Sequence, residues 1–156
     1  MVVENYMQEA IELSVNNVKV NNGGPFGAVV VKDGKIIARG YNQVTNTNDP
    51  TAHAEVVAIR EACKVLGTFQ LTNCEIYTSC EPCPMCLGAI YWARPSRVYY
   101  ANTKEDAAAI QFDDDFIYKE IAKPIQYREL QFIQVMRNEA QEAFDLWKNK
   151  TDKIEY

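Results

Sequence analysis

Two groups of side chains that can bind a metal ion are separated by a stretch that fits one helix and one short strand. They are His53-Ala54-Glu55 and Pro82-Cys83-Pro84-Met85-Cys86. Between them, Glu75-Ile76-Tyr77-Thr78 has the composition and length of a short buried strand. If both groups serve one site, the start of one helix must lie beside the start of the next, on the same sheet.

Patterns along the rest of the chain agree with that arrangement. β-rich runs flank Asp33-Gly34, which predicts a hairpin with a type I′ turn because both central residues need positive φ. Apolar spacing and end signals predict helices over 4–21, 51–66, 84–93, 113–121 and 137–150, and strands over 27–32, 35–41, 75–78 and 97–101. This order predicts a mixed sheet covered by helices, with its later strands parallel through right-handed crossovers.

Length and charge limit the classes of function. A chain of 156 residues fits one domain, and residues 1–156 show no linker or repeat. The formal net charge of −5 disfavours nucleic acid as a partner, because an acidic surface repels phosphate. No apolar run is long enough to span a membrane, and residues 1–9 contain no Lys or Arg, unlike a signal peptide. We expect a cytoplasmic protein without a membrane partner.

The chain contains five cysteines, which in a reducing compartment act as metal ligands or buried thiols rather than disulfides. Cys63 and Cys74 lie within helix and strand patterns, which predicts core packing. Cys80, Cys83 and Cys86 are spaced three apart around the predicted start of a helix.

His53, Cys83 and Cys86 match the ligand set of a catalytic zinc site, in which three protein ligands leave a fourth position for water or hydroxide. The pattern predicts His53 in the first turn of its helix and both cysteines on one side of the next helix. Helix N-termini lower the pKa of nearby thiols, and the thiolate is the form that binds zinc. The full H-x-E…P-C-x-x-C pattern is characteristic of zinc-dependent nucleobase deaminases. We therefore expect one zinc ion per subunit.

A structural zinc site is the direct alternative. It would need a fourth protein ligand, and Cys80 lies near enough in the sequence to supply it. Glu55 would then have no role beside the metal. His53 is the single histidine of the chain, and such a residue is usually an ordinary core or surface side chain. The cysteines and Glu55 are what favour a ligand.

Glu55 is the predicted general acid–base. Zinc lowers the pKa of bound water to about 7, but two thiolates cancel much of its charge, so a nearby base has to help form hydroxide. Glu55 would take the proton of the water and return it to a ring nitrogen, while hydroxide adds to an amidine-like carbon. A second proton transfer would release ammonia.

Beyond the metal pattern, the chain resembles the cytidine-deaminase-like superfamily and, more closely, its short bacterial guanine deaminases. The resemblance covers nearly the whole chain and lies in residues 23–28, Asn42, 48–55, 78–86, Phe112-Asp113-Asp114 and Glu155-Tyr156. It implies a three-layer α/β/α sandwich with a mixed five-stranded sheet. It also implies hydrolysis of guanine to xanthine and ammonia.

The resemblance gives roles to single residues. Asp114 matches the catalytic-site residue that meets the amino-bearing edge of the purine, and a carboxylate can accept from both N1–H and the 2-amino group of guanine. Asn42 matches an amide that binds the base, Phe26 matches an aromatic that lines the pocket, and the Ala54 backbone contacts substrate. Without the resemblance, Asp113-Asp114-Asp115 is an acidic run that caps a helix, Asn42 is a turn residue and Phe26 is core.

The resemblance also implies a homodimer in which residues from about 137 to 156 are swapped onto a partner subunit, so that Tyr156 closes the neighbouring site. A frayed terminus is the alternative. Ile154 departs from the family pattern.

Three other functions share some of these features. A tRNA adenosine deaminase uses the same metal pattern but is expected to carry a basic face for RNA. Another small nucleobase or nucleoside deaminase would use the same site. A zinc-binding module without activity would not need Glu55.

Overall fold

The computed structural model describes residues 2–112 and 114–156, which divide into two compact units. The first unit ends at Asp115 and the second begins at Phe116. The first unit contains α1 (Val2–Lys19), β1 (Gly27–Lys32), β2 (Lys35–Tyr41), α2 (Val44–Thr47), α3 (Ala54–Leu66), β3 (Cys74–Cys80), α4 (Pro84–Ala93), β4 (Arg97–Asn102) and α5 (Lys104–Ala109). The second contains α6 (Asp115–Ala122), which starts at the last residue of the first unit, a 3-10 turn (Ile125–Tyr127) and α7 (Arg137–Asn149). Among the described helices, none combines the length and apolar composition that a membrane crossing requires.

The sheet of the first unit is mixed, with strand order β2-β1-β3-β4. β1 pairs antiparallel with both β2 and β3, and β3 pairs parallel with β4. Asp33 (φ 49°) and Gly34 (φ 72°) connect β1 to β2 with positive φ at both positions, which confirms the predicted type I′ turn.

Two helical layers cover this sheet, as predicted. Successive side chains of a strand point to opposite faces. Ala28 and Val30 of β1 therefore pack in a cluster with residues of α3 and α4. Val29 and Val31 pack in a second cluster with Ala10 of α1 and Tyr77 of β3. The result is a three-layer α/β/α sandwich.

The expected fifth strand is wrong for the described part of the chain, where the sheet has four strands. After β4 the chain enters α5, which was not predicted and which begins with a capping box between Thr103 and Asp106. Residues 128–136 form no strand, although five of these nine residues are apolar. β4 is an edge of the sheet, and Tyr100 on it is exposed.

One glycine fixes how closely α3 approaches the sheet. A Cβ atom at Gly40 of β2 would lie 2.2 Å from the carbonyl oxygen of Ala54 and 2.6 Å from the backbone nitrogen of Ala58. Only a residue without a side chain permits this approach. The start of α3, which carries His53 and Glu55, is therefore held directly against β2.

The second unit has no buried residue between 116 and 156. Its α6 and the segment after it are joined by hydrogen bonds to Glu120, whose carboxylate accepts from the backbone of Glu129 at 2.8 Å and whose carbonyl accepts from Arg128 at 3.1 Å. In α7, Phe144, Leu146 and Trp147 are all exposed.

Candidate metal centre and adjoining cavity

The three predicted ligands lie at the N-termini of two helices. His53 precedes α3 as its N-cap, with extended backbone (φ −69°, ψ 155°), so the expectation that it lies within the first turn is corrected by one residue. The predicted helix over 51–66 therefore starts later than expected, at Ala54. Pro50 and Thr51 lie outside α3, because the backbone of His53 is extended and a helix cannot continue through it. Cys83 is the N-cap of α4, and its Sγ accepts the backbone N–H of Cys86 at 3.4 Å.

These ligands converge on one point. Nδ1 of His53 lies 3.5 Å from Sγ of Cys83 and 3.5 Å from Sγ of Cys86, and all three ligand atoms lie within 4.8 Å of one another. A thiolate and an imidazole bound to one tetrahedral zinc ion are about 3.6 Å apart, given their usual bond lengths. The residues therefore fit zinc. Among the described residues, this ligand cluster does not include Cys80.

Interactions among the three ligand side chains shift their pKa values. The side chain of Cys86, together with His53, lowers the pKa of the Cys83 thiol. The same interaction between the two thiols raises the pKa of Cys86. The hydrogen bond to Cys83 raises the pKa of His53. A metal ion that replaces these protons would find three donors already facing one another.

Glu55 lies beside the ligands and is only 6% exposed. Its carboxylate accepts from Oγ1 of Thr78 at 3.3 Å and from Sγ of Cys86 at 3.4 Å. Burial raises the pKa of this carboxyl group. Thr78 belongs to β3 and Glu55 to the first turn of α3, so the carboxylate is oriented by the sheet as well as by its own helix.

A cavity of about 270 Å³ opens beside this cluster and brings most of the predicted site residues together. Gly24, Phe26, Asn42, Val44, Thr45, Pro50, His53, Glu55, Cys80, Glu81, Cys83, Phe112 and Asp114 line it. The volume suits a small planar ring system better than a larger ligand.

Asn42 lies on the wall of the cavity, just after β2, and is 6% exposed. Its Oδ1 accepts the backbone N–H of Val44 at 3.2 Å. Within the described residues, nothing accepts a hydrogen bond from its Nδ2. The hydrogen bond from Val44 is the Asx turn expected of a turn residue, and it leaves the N–H groups of the side chain available as donors.

Phe26 and Asp114 line the same cavity. Phe26 contacts Phe112 edge to face, with ring centroids 4.9 Å apart and planes at 88°, so an aromatic pair forms one wall. Asp114 is near enough to His53 and Cys80 to contribute to the pKa of both. Asp113, the middle residue of the predicted Phe-Asp-Asp segment, lies outside the described residues.

Three predicted residues, Cys86, Ala54 and Tyr156, are not among those that line the cavity. Cys86 is fully buried in the first turn of α4. Ala54 is fully buried at the start of α3, directly between His53 and Glu55. Tyr156 belongs to the second unit and is 68% exposed.

Sequence reasoning missed some residues at this site. Cys80 was considered only as a zinc ligand, but it lines the cavity as a neutral thiol, since burial raises its pKa to about 11. Glu81 also lines the cavity and accepts the backbone N–H of Lys104 at 3.0 Å. Cys80 and Glu81 lie three and two residues before Cys83, and this closeness to a predicted ligand was the signal that could have placed them at the site.

Comparison with known proteins agrees with this geometry. Residues 2–102 match the family model of the cytidine and deoxycytidylate deaminase zinc-binding region. The chain belongs to this family. It is therefore a zinc-binding deaminase domain, in which His53, Cys83 and Cys86 could hold the ion.

Individual relatives resemble the chain over different lengths. The guanine deaminase of Bacillus subtilis is 59% identical over 153 residues, which is 98% of both chains, and its X-ray structure matches with a TM-score of 0.95. A solved guanine deaminase from Nitrosomonas europaea is 36% identical with a TM-score of 0.67, over 70% of this chain and 63% of its own. A tRNA-specific adenosine deaminase of Bacillus subtilis is 42% identical over 97 residues, 62% of this chain and 60% of its own.

Proposed function

We propose that this protein hydrolyses guanine to xanthine and ammonia in the cavity beside His53, Cys83 and Cys86. The observation that carries the proposal is the extent of the likeness. A guanine deaminase is 59% identical over 98% of the chain, including residues after 102, whereas tRNA-specific adenosine deaminases are 42% identical over 62% of it or 35% identical over 83%.

The chemistry begins with an activated water molecule. Zinc held by these three residues supplies a Lewis acid that makes hydroxide available near neutral pH. Two sulfur ligands lower the charge of the site, so a base within reach is required. Glu55 is adjacent to Cys86 and is the buried carboxylate that meets this need.

Glu55 moves the protons of the reaction. Its carboxylate accepts a proton from the attacking water and delivers it to a ring nitrogen, while a C–O bond forms at C2 of guanine. A second proton passes from the new C2 hydroxyl group through Glu55 to the amino group, the C2–N bond breaks as the C2=O bond of xanthine forms, and ammonia leaves. Thr78 holds one carboxylate oxygen at 3.3 Å, so the group stays directed at the reacting atoms through both transfers.

Asp114 and Asn42 recognise the base. The carboxylate of Asp114 accepts from N1–H and the 2-amino group, which are adjacent donors in guanine. The Nδ2 of Asn42 donates to an acceptor of the purine ring. Adenine lacks the donor pair, and a site built to accept hydrogen bonds from a substrate can discriminate by 10⁴–10⁵ against an analogue that lacks the donors.

Phe26 and Ala54 complete the binding site. The ring of Phe26 lies in the wall of the cavity, where it can contact the face or edge of a planar base. Ala54 lies between the metal ligand His53 and the general acid–base Glu55 in the chain. A purine that reaches both of these side chains would therefore lie beside the Ala54 backbone.

We also infer that residues from about 137 to 156 cover the site of a second copy of the chain, so that the active form is a swapped homodimer. The apolar side chains of α7 are exposed, and no residue of 116–156 is buried. Tyr156 at the end of this segment would then close the neighbouring cavity against water.

Ammonia release from a panel of substrates tests the proposal. Zinc-loaded protein is mixed with guanine, adenine, cytosine, cytidine or a tRNA anticodon hairpin, with a chelated sample as the control. We expect release from guanine and from none of the others, and loss of release after chelation with the fold retained. Release from the hairpin instead would indicate a tRNA adenosine deaminase. Unfolding on chelation, with no release from any substrate, would indicate a structural zinc module.

A further inference from the structure

A buried amide on α1 holds two loops of the cavity together. Asn17 is 2% exposed. Its Nδ2 donates to the carbonyl oxygen of Gly24 at 2.8 Å and to the carbonyl oxygen of Asn42 at 2.9 Å. Both acceptors line the cavity, although Asn17 itself does not.

The two loops are in contact beside this amide. A Cβ atom at Gly23 would lie 2.7 Å from the carbonyl oxygen of Asn42, so the loop before β1 and the loop after β2 are in direct contact. The backbone N–H of Asn42 also donates to Phe26 at 3.2 Å. Asn17 therefore connects the backbone of Gly24 to that of Asn42 where the two loops meet.

The amide of Asn17 is held in one orientation. The two carbonyl oxygens require the Nδ2 of Asn17 to face them, and its Oδ1 then has no hydrogen-bond partner among the described residues. A buried acceptor without a partner is unfavourable. An apolar side chain would remove that acceptor, but it would also take away the donor that the carbonyl oxygens of Gly24 and Asn42 share. What the amide supplies is a pair of donors aimed at two loops.

We propose that Asn17 is a positioning residue for purine binding, acting through Asn42. By fixing the backbone of Asn42, it sets the direction of the side chain whose Oδ1 accepts from Val44 and whose Nδ2 would donate to the purine. The metal ligands and Glu55 lie at the N-caps and in the first turns of α3 and α4, which Asn17 does not contact through these hydrogen bonds. Asn17 therefore affects how tightly the purine binds rather than the rate of the chemical step. The kinetic part of this inference rests on the proposed function.

Substitution Asn17→Leu removes both donors and keeps the volume. We expect the KM for guanine to rise roughly tenfold, in line with coupling within one hydrogen-bond network, while kcat and zinc content change little. Ser14→Ala is the matched control, because Ser14 is also buried on α1 but bonds only to Ile11 of its own helix. In the Asn42→Ala background, Asn17→Leu should raise KM no further. Equal effects in both backgrounds, or a drop in thermal stability with unchanged KM, would overturn the proposal.

Amide hydrogen exchange gives a test that does not depend on substrate. In Asn17→Leu, the backbone N–H groups of Asn42 and Val44 should exchange faster than in the wild type. The N–H of Val57, which donates to His53 at 2.9 Å, should not change. If the wild type fails to deaminate guanine, the proposed function fails, and this exchange measurement alone decides the role of Asn17. Unchanged exchange at Asn42 and Val44 would contradict it.

Discussion

The two units of the chain differ in where their apolar side chains lie. In the first unit, the sheet has a packed cluster on each face, and the ligands, Glu55 and the cavity all belong to it. In the second, Phe144 is 71% exposed, and no residue between 116 and 156 is buried. A segment of about 40 residues rarely forms a core by itself. Under the proposed function, the first unit carries the chemistry, and the exposed apolar side chains of the second are what the proposed dimer would cover.

The sharpest test of this division is Glu55→Gln, since it changes the chemistry without changing the packing. We expect guanine deamination to fall by roughly 10²–10⁴, the usual contribution of a general acid–base. Zinc content and thermal unfolding should match those of the wild type, because the amide keeps the size of the carboxylate. Ammonia release and metal analysis measure these results. Near-normal turnover would remove Glu55 from the mechanism and with it the assignment of the chemistry to this site.

Asp114 lies one residue before the end of the first unit, so its substitution tests where the catalytic region stops. Asp114→Ala should lower kcat/KM for guanine by about 10- to 100-fold, as expected for losing hydrogen bonds to a charged group. Asp115→Ala is the control, because Asp115 begins α6 and does not line the cavity. If both variants lose the same activity, the acidic run acts as a whole and the specificity argument for Asp114 is wrong.

Gly40→Ala tests how much the close contact between β2 and α3 stabilises the first unit. The added Cβ would meet the backbone of Ala54 at 2.2 Å, so the free energy of unfolding should fall by about 1–3 kcal/mol, as for other overpacked positions. Activity should fall with it, because α3 must move. Gly88→Ala is the matched control, since a Cβ atom there meets nothing within 4 Å. Denaturant unfolding of both variants compares them directly, and equal stability would contradict the tight contact.

Removal of residues 153–156 tests the second unit. We expect kcat/KM for guanine to fall by roughly tenfold, which corresponds to the loss of about 1.4 kcal/mol of binding, while the unfolding curve is unchanged. Phe144→Ser should shift the chain from dimer to monomer, as measured by light scattering. Truncated protein with wild-type kinetics would mean that the terminus is frayed and takes no part in closing a site.

Features set by neighbouring residues could be predicted from the sequence. The Asp33-Gly34 turn and α4 starting at Pro84 depend on local backbone preferences. The convergence of His53 with Cys83 and Cys86 spans about 30 residues and was predicted from the complete metal-binding pattern. The missed α5 also had a local signal in Thr103 and Asp106. The fifth strand was implied by the resemblance, and no local run of residues indicated where it would lie. Asn17 could not be found either, because Asn42 is 25 residues away and the helix spacing of Asn17 is that of an ordinary polar residue.

The contact at Gly40 sets a condition on transferring this site to another protein. Copying the histidine, the glutamate and the cysteine pair onto a new scaffold would reproduce the donor atoms but not their separation. A designer would also have to place a residue without a side chain on the facing strand, opposite the first turn of the helix that follows the histidine. Gly40 is thus part of what defines the metal centre, although it is neither one of the three ligands nor part of the cavity lining.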